Sequence, residues 1–455
     1  MTGLLALVAL LALAAPAAAS PSQTVTFEAP RDLLDPARRD AALREIDSLG
    51  VRALRVVLYW NTVAPNRDRA RRPAFDPRDP AAYAWGQYDA LLAAAAARGW
   101  SVHLTLSGPV PTWATRARRD KVTRPDPALF RAFAEAAGRR FGAQVDLWSI
   151  WNEPNHPGFL RPQFARGGRA ISPGLYRQLF QAGRAGLEAA GQGGDRIVAG
   201  ETAPRGTGSV VAPLRFLRGM LCLDGRYRRR GRGCRRLDAD GYAHHAYTTR
   251  LGPFFVPPQR DHVTIGVLER LVGALDRSAR ARALRRGLRV YLTEFGIQSF
   301  PDRLLGVPLR QQPEFYAISE RIARGNRRVA SFSQYLLRDD PATRRGLYGG
   351  FESGLRRANG RAKPALAGFR LPLAVRRRRG AVSIWGMARP ATAPTVVELE
   401  VSDRGRRFRR LRRVRTDARG SFVVRGADRR GRRWRLRWRA PNGTRYTGPP
   451  IRAYR

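Results

Sequence analysis

Strand-like and helix-like segments alternate eight times between Thr24 and Phe369, and few folds accept such a series. The β-branched apolar runs fall at 24–29, 51–60, 101–106, 145–151, 196–200, 237–242, 288–293 and 329–336. Helical spacing fills the intervals at 36–49, 83–98, 127–141, 175–190, 211–222, 263–275, 314–324 and 363–369. Gly50, Gly99 and Gly142 follow three of these helices, as stop signals should. The pattern predicts an α/β chain folded as a (β/α)8 TIM barrel over residues 20–370. Such barrels build their sites where strands end, on the C-terminal face.

Two carboxylates fall at such ends. Glu153 follows the fourth strand in Trp151-Asn152-Glu153-Pro154-Asn155, and Glu294 ends the seventh in Val290-Tyr291-Leu292-Thr293-Glu294-Phe295-Gly296. Two acids facing each other can cleave a glycosidic bond if one donates a proton and the other attacks the anomeric carbon. A separation of about 5 Å is then expected. The plainer alternatives are that Glu153 caps a helix starting at Pro154, and that Glu294 is only an ion-pair partner. Arg55 points the same way as Val57 and Tyr59 on the second strand, and a charge in a barrel wall needs a partner such as Glu294. Asn152 suits a sugar hydroxyl. His245 and Tyr247 follow the sixth strand, where the tyrosine could orient a nucleophile and the histidine bind substrate. Trp60, Trp113 and Trp151 lie at strand ends and are candidate platforms for sugar rings. His103 reads equally as core or ligand. His156 sits in a loop beyond Glu153, Glu201 follows the fifth strand in a secondary role, and His244 is expected to pack or to face solvent.

Charge is the second constraint. The net charge of +48 comes almost wholly from arginine, with lysine only at Lys121 and Lys363. It would attract anionic polymers. The arginines are scattered rather than gathered in a motif, so a solvated basic surface is the simpler reading, and no nucleic-acid-binding motif appears. Residues 1–19 read as a signal peptide, although no Lys or Arg precedes the apolar run, so secretion is expected. Nothing later in the chain reads as a membrane span. Cys222 and Cys234 are the only cysteines, and in an exported chain they suggest one disulfide rather than a metal site.

After Phe369 the helical period disappears. Residues 371–455 hold 25 arginines and five acids, in short alternating runs such as Thr395–Val401 and Trp434–Trp438. This predicts a small β-sandwich with valine and tryptophan inward and arginine outward. It is an accessory module that could contact anionic cell-wall polymers.

The strings quoted above resemble glycoside hydrolase clan A, the retaining (β/α)8 enzymes. Trp-Asn-Glu-Pro-Asn is similar to family 39, Thr-Glu-Phe-Gly to the family 5 cellulases, and Pro111-Thr112-Trp113-Ala114 to a loop of several clan members. The resemblance spans about residues 24–370. It implies Glu153 as acid/base, Glu294 as nucleophile, Asn152 as ligand of the 2-hydroxyl, Arg55 as partner of the nucleophile, and His245 and Tyr247 as site residues. It implies a β-linked oligo- or polysaccharide substrate and no metal or organic cofactor. The clan's tryptophan at the end of the eighth strand is missing, leaving Tyr335 or Gln334 at the pocket floor. A catalytically inactive glycan-binding or wall-associated barrel is the alternative.

Overall fold

A computed structural model describes residues 23–231, 233–341, 350–405 and 407–455. The expected signal peptide at 1–19 lies outside the described residues. Eight parallel strands close into a barrel: β1 (Thr24–Glu28), β2 (Ala53–Tyr59), β3 (Ser101–Ser107), β4 (Leu147–Ile150), β5 (Arg196–Thr202), β6 (Gly241–His245), β7 (Arg289–Glu294) and β8 (Val329–Tyr335). β1 pairs with both β2 and β8, which seals the ring. The helices are α1 (Pro30–Leu33), α2 (Pro36–Ser48), α3 (Trp60–Val63), α4 (Gly86–Ala96), α5 (Pro127–Phe141), α6 (Ser172–Ala189), α7 (Pro213–Met220), α8 (Leu268–Arg280), α9 (Gln312–Gly325) and α10 (Pro364–Arg370).

Local sequence explains several starts. Asp35 and Asp126 precede proline, and each carboxylate accepts from the backbone N–H of the second residue after it, at 2.9 and 2.8 Å. Proline at the first helical position has no N–H to satisfy and a φ already set for a helix.

Two strands differ from the expected bounds. β6 begins at Gly241, not at residue 237. Asp240 is the reason: its carboxylate accepts from Ile197 N at 3.0 Å and Arg184 Nη1 at 3.1 Å, so it caps the lower rim and the strand starts after it. β5 continues to Thr202, which puts Glu201 inside the wall.

The C-terminal region has two antiparallel sheets. β9 (Leu373–Arg378), β10 (Ala381–Met387) and β13 (Ser421–Ala427) form one. β11 (Val396–Ser402), β12 (Arg409–Arg415), β14 (Arg433–Arg439), β15 (Arg445–Thr447) and β16 (Ile451–Arg452) form the other. Trp434, Leu436, Trp438, Val375 and Ile384 fill the space between, while the arginines of β14 alternate outward. The sandwich is seated on α9. Ala374, Trp385 and Met387 pack on Ile318, and the Arg389 guanidinium bonds Glu320 and the Phe369 carbonyl. Cys222 and Cys234 form the expected disulfide. No helix among the described residues is long and apolar enough to cross a membrane.

Candidate active site

Arg55 organises the upper end of the barrel. It is 1% exposed, and its side chain stands inside the ring of strands. Nη1 donates to Glu28 Oε2 at 2.5 Å and Glu294 Oε2 at 3.0 Å. Nη2 donates to Glu201 Oε2 at 2.5 Å and Asn152 Oδ1 at 2.6 Å. One guanidinium therefore faces three carboxylates, from β1, β5 and β7. The pairing of Phe27 with Leu54 sets Glu28 beside Arg55.

Three buried acids around one cation cannot all stay ionised without a large electrostatic cost. Glu28 carries the imbalance. Burial, together with the Glu294 charge, pushes its carboxyl up to about 8 despite Arg55. Glu201 is buried as fully, yet Arg55 and the histidines nearby outweigh burial and hold it below the usual value.

His245 links the two candidate catalytic acids. Its Nδ1 lies 2.9 Å from Glu153 Oε1 and 3.7 Å from Glu294 Oε2. Those two oxygens can be no further apart than the two lengths laid end to end, 6.6 Å. Tyr247 donates its hydroxyl to Glu294 Oε1 at 2.7 Å. Both oxygens of Glu294 are thus held, one by Arg55 and one by Tyr247. Burial and the Glu294 charge keep the Tyr247 hydroxyl protonated, well above its usual range.

Burial alone would raise Glu153, but the hydrogen bond and charge of His245 leave it below the ordinary carboxylate value. Burial alone would lower His245, but Glu294 and Glu153 together leave it above the ordinary imidazole value. These opposite shifts favour a proton on the imidazole over one on Glu153. His245 Nε2 has no hydrogen-bond partner among the described residues, so no second group fixes which partner carries that proton.

A cavity of about 460 Å³ opens above these groups. Glu28, Asn152, Glu153, His156, Tyr247, Glu294 and Tyr335 line it, with Tyr59, Phe159 and Phe351 as its aromatic walls. Arg55 and His245 lie beneath the lining. Tyr335 stands in the cavity wall, whereas Gln334 is buried and donates to the carbonyls of Leu336 and Ser353.

The tryptophan platforms are corrected by the structure. Trp60, Trp113 and Trp151 are at most 2% exposed, and none lines the cavity. Trp60 opens α3 and stacks on Phe133, with ring centroids 5.0 Å apart. Trp113 meets Trp60 edge-on at 5.7 Å. Trp151 takes a left-handed φ of 73°, and its indole packs on Phe130. Gly108 leaves room for it, since a Cβ there would lie 2.5 Å from the ring. A strand-end position says nothing of which way an indole turns, and here Trp60 and Trp151 turn toward α5 while Trp113 packs on Trp60 and Phe75. Glu153 also has a left-handed φ, 38°, in the turn that brings its carboxyl over the barrel.

His103 is buried below Glu201, 3.8 Å from its carboxylate, and burial lowers it to about 4, so it is neutral. His244 packs as expected, bonded to Thr202 and the Val263 carbonyl. Glu28 is the residue that sequence reasoning missed. A lone acid ending the first strand has no motif around it, and only its register against Arg55 marks it.

No protein-family model matches the chain, and no curated protein sequence matches it. Solved structures do share its fold. A monomeric β-xylosidase from Caulobacter crescentus CB15 aligns with a TM-score of 0.52 at 16% identity, over 95% of this chain and 98% of that one. A glucosidase from Croceicoccus marinus gives 0.55 at 11% identity, over 92% and 96%. A GH39 enzyme from Xanthomonas axonopodis pv. citri gives 0.50 at 16%, over 91% and 94%. The likeness establishes the fold, a parallel eight-stranded barrel followed by antiparallel sheets, and at that level it agrees with the family 39 resemblance read from the sequence.

Proposed function

We propose that the protein is an exported retaining glycoside hydrolase acting on β-linked sugars. The observation that carries this reading is Glu153 and Glu294 converging on one imidazole nitrogen, with Glu294 held at both oxygens. A separation of at most 6.6 Å between those oxygens admits direct attack on the anomeric carbon. Two of the solved structures with this fold, a β-xylosidase and a glucosidase, support the same chemistry. The cavity, about 460 Å³, suits the end of an oligosaccharide better than a long polymer threaded through a groove.

In this reading the sugar enters over Tyr335 and Phe351, and Asn152 faces its 2-hydroxyl. The entering ring displaces water, which disfavours the charged Glu153–His245 pair relative to the neutral one. The imidazole proton then moves along the 2.9 Å hydrogen bond from Nδ1 to Glu153. Glu153 gives it to the leaving oxygen while Glu294 forms the bond to C1. Glu153, now ionised, takes a proton from water, and that water releases the sugar from Glu294.

The test is hydrolysis of aryl β-xyloside, β-glucoside and β-mannoside by wild type, Glu153→Ala and Glu294→Ala. Turnover lost in Glu294→Ala, and a β-glycosyl azide formed by Glu153→Ala in azide, are expected. Wild-type turnover that survives Glu294→Ala would overturn the assignment.

A further inference from the structure

A second cavity lies between the barrel and the sandwich, and it shares no lining residue with the catalytic one. It measures about 270 Å³. The wall from the barrel is the last turns of α9 with the start of α8 and the residues just before it, and the wall from the sandwich is the outer face of β9 and β10. Register explains that face. Trp385 pairs with Ala374 and Ser383 with Arg376, so these side chains share one side of the sheet. The Trp385 end is covered by Ile318 of α9. Further along, the two walls part and leave the cavity.

Its lining is strongly cationic. Arg321 comes from α9, and Arg376 and Arg378 come from β9. Two arginines nearby are paired with acids, Arg389 with Glu320 and Arg377 with Asp428. These three form no ion pair among the described residues. Two donors on the wall, Arg321 Nη1 and Trp385 Nε1, are buried with no hydrogen-bond partner among the described residues. A buried donor left unmet is costly, so Arg321 Nη1 and Trp385 Nε1, with the exposed guanidinia of Arg376 and Arg378 on the same wall, describe a site suited to an acceptor. Burial, with repulsion from Arg324 and Arg376, pulls Arg321 below its ordinary value, as expected for cations crowded without a counter-ion.

The remaining lining narrows the ligand. The cavity is much larger than one small ion needs, since a water occupies about 30 Å³. Ser383 and Tyr454 add hydroxyls to its wall. Glu269, held by Asn326 Nδ2 at 3.0 Å, offers a carboxylate at the edge. That carboxylate repels a bare dianion but accepts readily from a sugar hydroxyl. We propose that this inter-domain cavity binds the carboxylate of an acidic sugar unit, with Arg321 and Arg376 gripping the anion and Glu269 receiving a ring hydroxyl. The planar guanidinium fork matches a carboxylate in two parallel hydrogen bonds. The sandwich would then hold the enzyme to a uronate-bearing glycan while the barrel works on a neutral one. The site does not depend on the catalytic assignment, and its test reads binding alone.

The experiment is calorimetric titration of the full chain at 0.15 M salt with galacturonate, galactose and inorganic phosphate. Wild type, Arg321→Gln, Arg376→Gln and Arg286→Gln are compared. Arg286 is exposed and does not line the cavity, so its variant removes the same charge elsewhere. Galacturonate is expected to bind, galactose not, and either cavity variant to weaken binding about tenfold or more while Arg286→Gln does not. Equal weakening in all three variants would reduce the effect to net charge and overturn the site. Phosphate binding without galacturonate binding would overturn the sugar-acid assignment, and so would no binding at all.

Discussion

Replacing Arg55 by methionine removes the one cation shared by Glu28, Glu201 and Glu294 while keeping most of the volume. The four hydrogen bonds it donates are all buried. Breaking a buried ion pair from one side costs about 3–5 kcal/mol, because the remaining charge stays uncompensated. The cost does not triple, since orphaned carboxyls take up protons instead of staying charged. Unfolding entropy of roughly 2.1 cal/mol/K per residue over a barrel of about 350 residues converts that to a fall in melting temperature of about 4–7 °C. The sign of the pH effect follows from Glu201. In the wild type its folded value is depressed, so its contribution is present above the unfolded carboxylate value and fades as pH falls through the folded one. In the variant that value is raised instead. The penalty is then largest near pH 7 and shrinks toward pH 5, where the unfolded chain also takes up protons. Thermal unfolding of both proteins at pH 5 and 7 measures this. An unchanged melting temperature at pH 7, or an equal loss at both pH values, would refute the idea that Arg55 compensates the acid charge gathered around it.

Three further outcomes follow from the same geometry. Tyr247→Phe removes one of the two donors on Glu294, and kcat should fall roughly 10–100-fold with little change in KM, as steady-state kinetics would report. Glu28 binds a proton in the folded state between its unfolded value and about 8, so it costs stability as pH rises through that window; Glu28→Gln should flatten the decline, read as melting temperature against pH. Trp60→Ala should destabilise by about 3–5 kcal/mol in urea unfolding and leave KM unchanged in the surviving folded enzyme, because Trp60 packs on Phe133 and does not reach the cavity.

The architecture was legible because eight buried strands separated by amphipathic helices leave a barrel as the natural solution. The sandwich was legible for a similar reason, since the period-two burial of Trp434, Leu436 and Trp438 is written in the sequence. Glu153 and Glu294 stood out because each follows an apolar run, and a strand end in a barrel is a site position whatever the side chain. What sequence could not convey was inter-strand register. Glu28 meets Arg55 only because Phe27 pairs with Leu54, and nothing local to either strand encodes that pairing. The indoles failed for a different reason. Backbone φ at Trp151 and the packing of α5 decide where they point, and both are settled in three dimensions.

The central claim is that Glu294 attacks the sugar. Incubation with a 2-deoxy-2-fluoro β-glycosyl fluoride slows release of the covalent intermediate, and peptide mass spectrometry then locates the label. A fluoroglycosyl ester on Glu294 is expected, forming with loss of activity and disappearing on transfer to an acceptor. A label on Glu28, or an active enzyme that releases inverted product and carries no label, would contradict it.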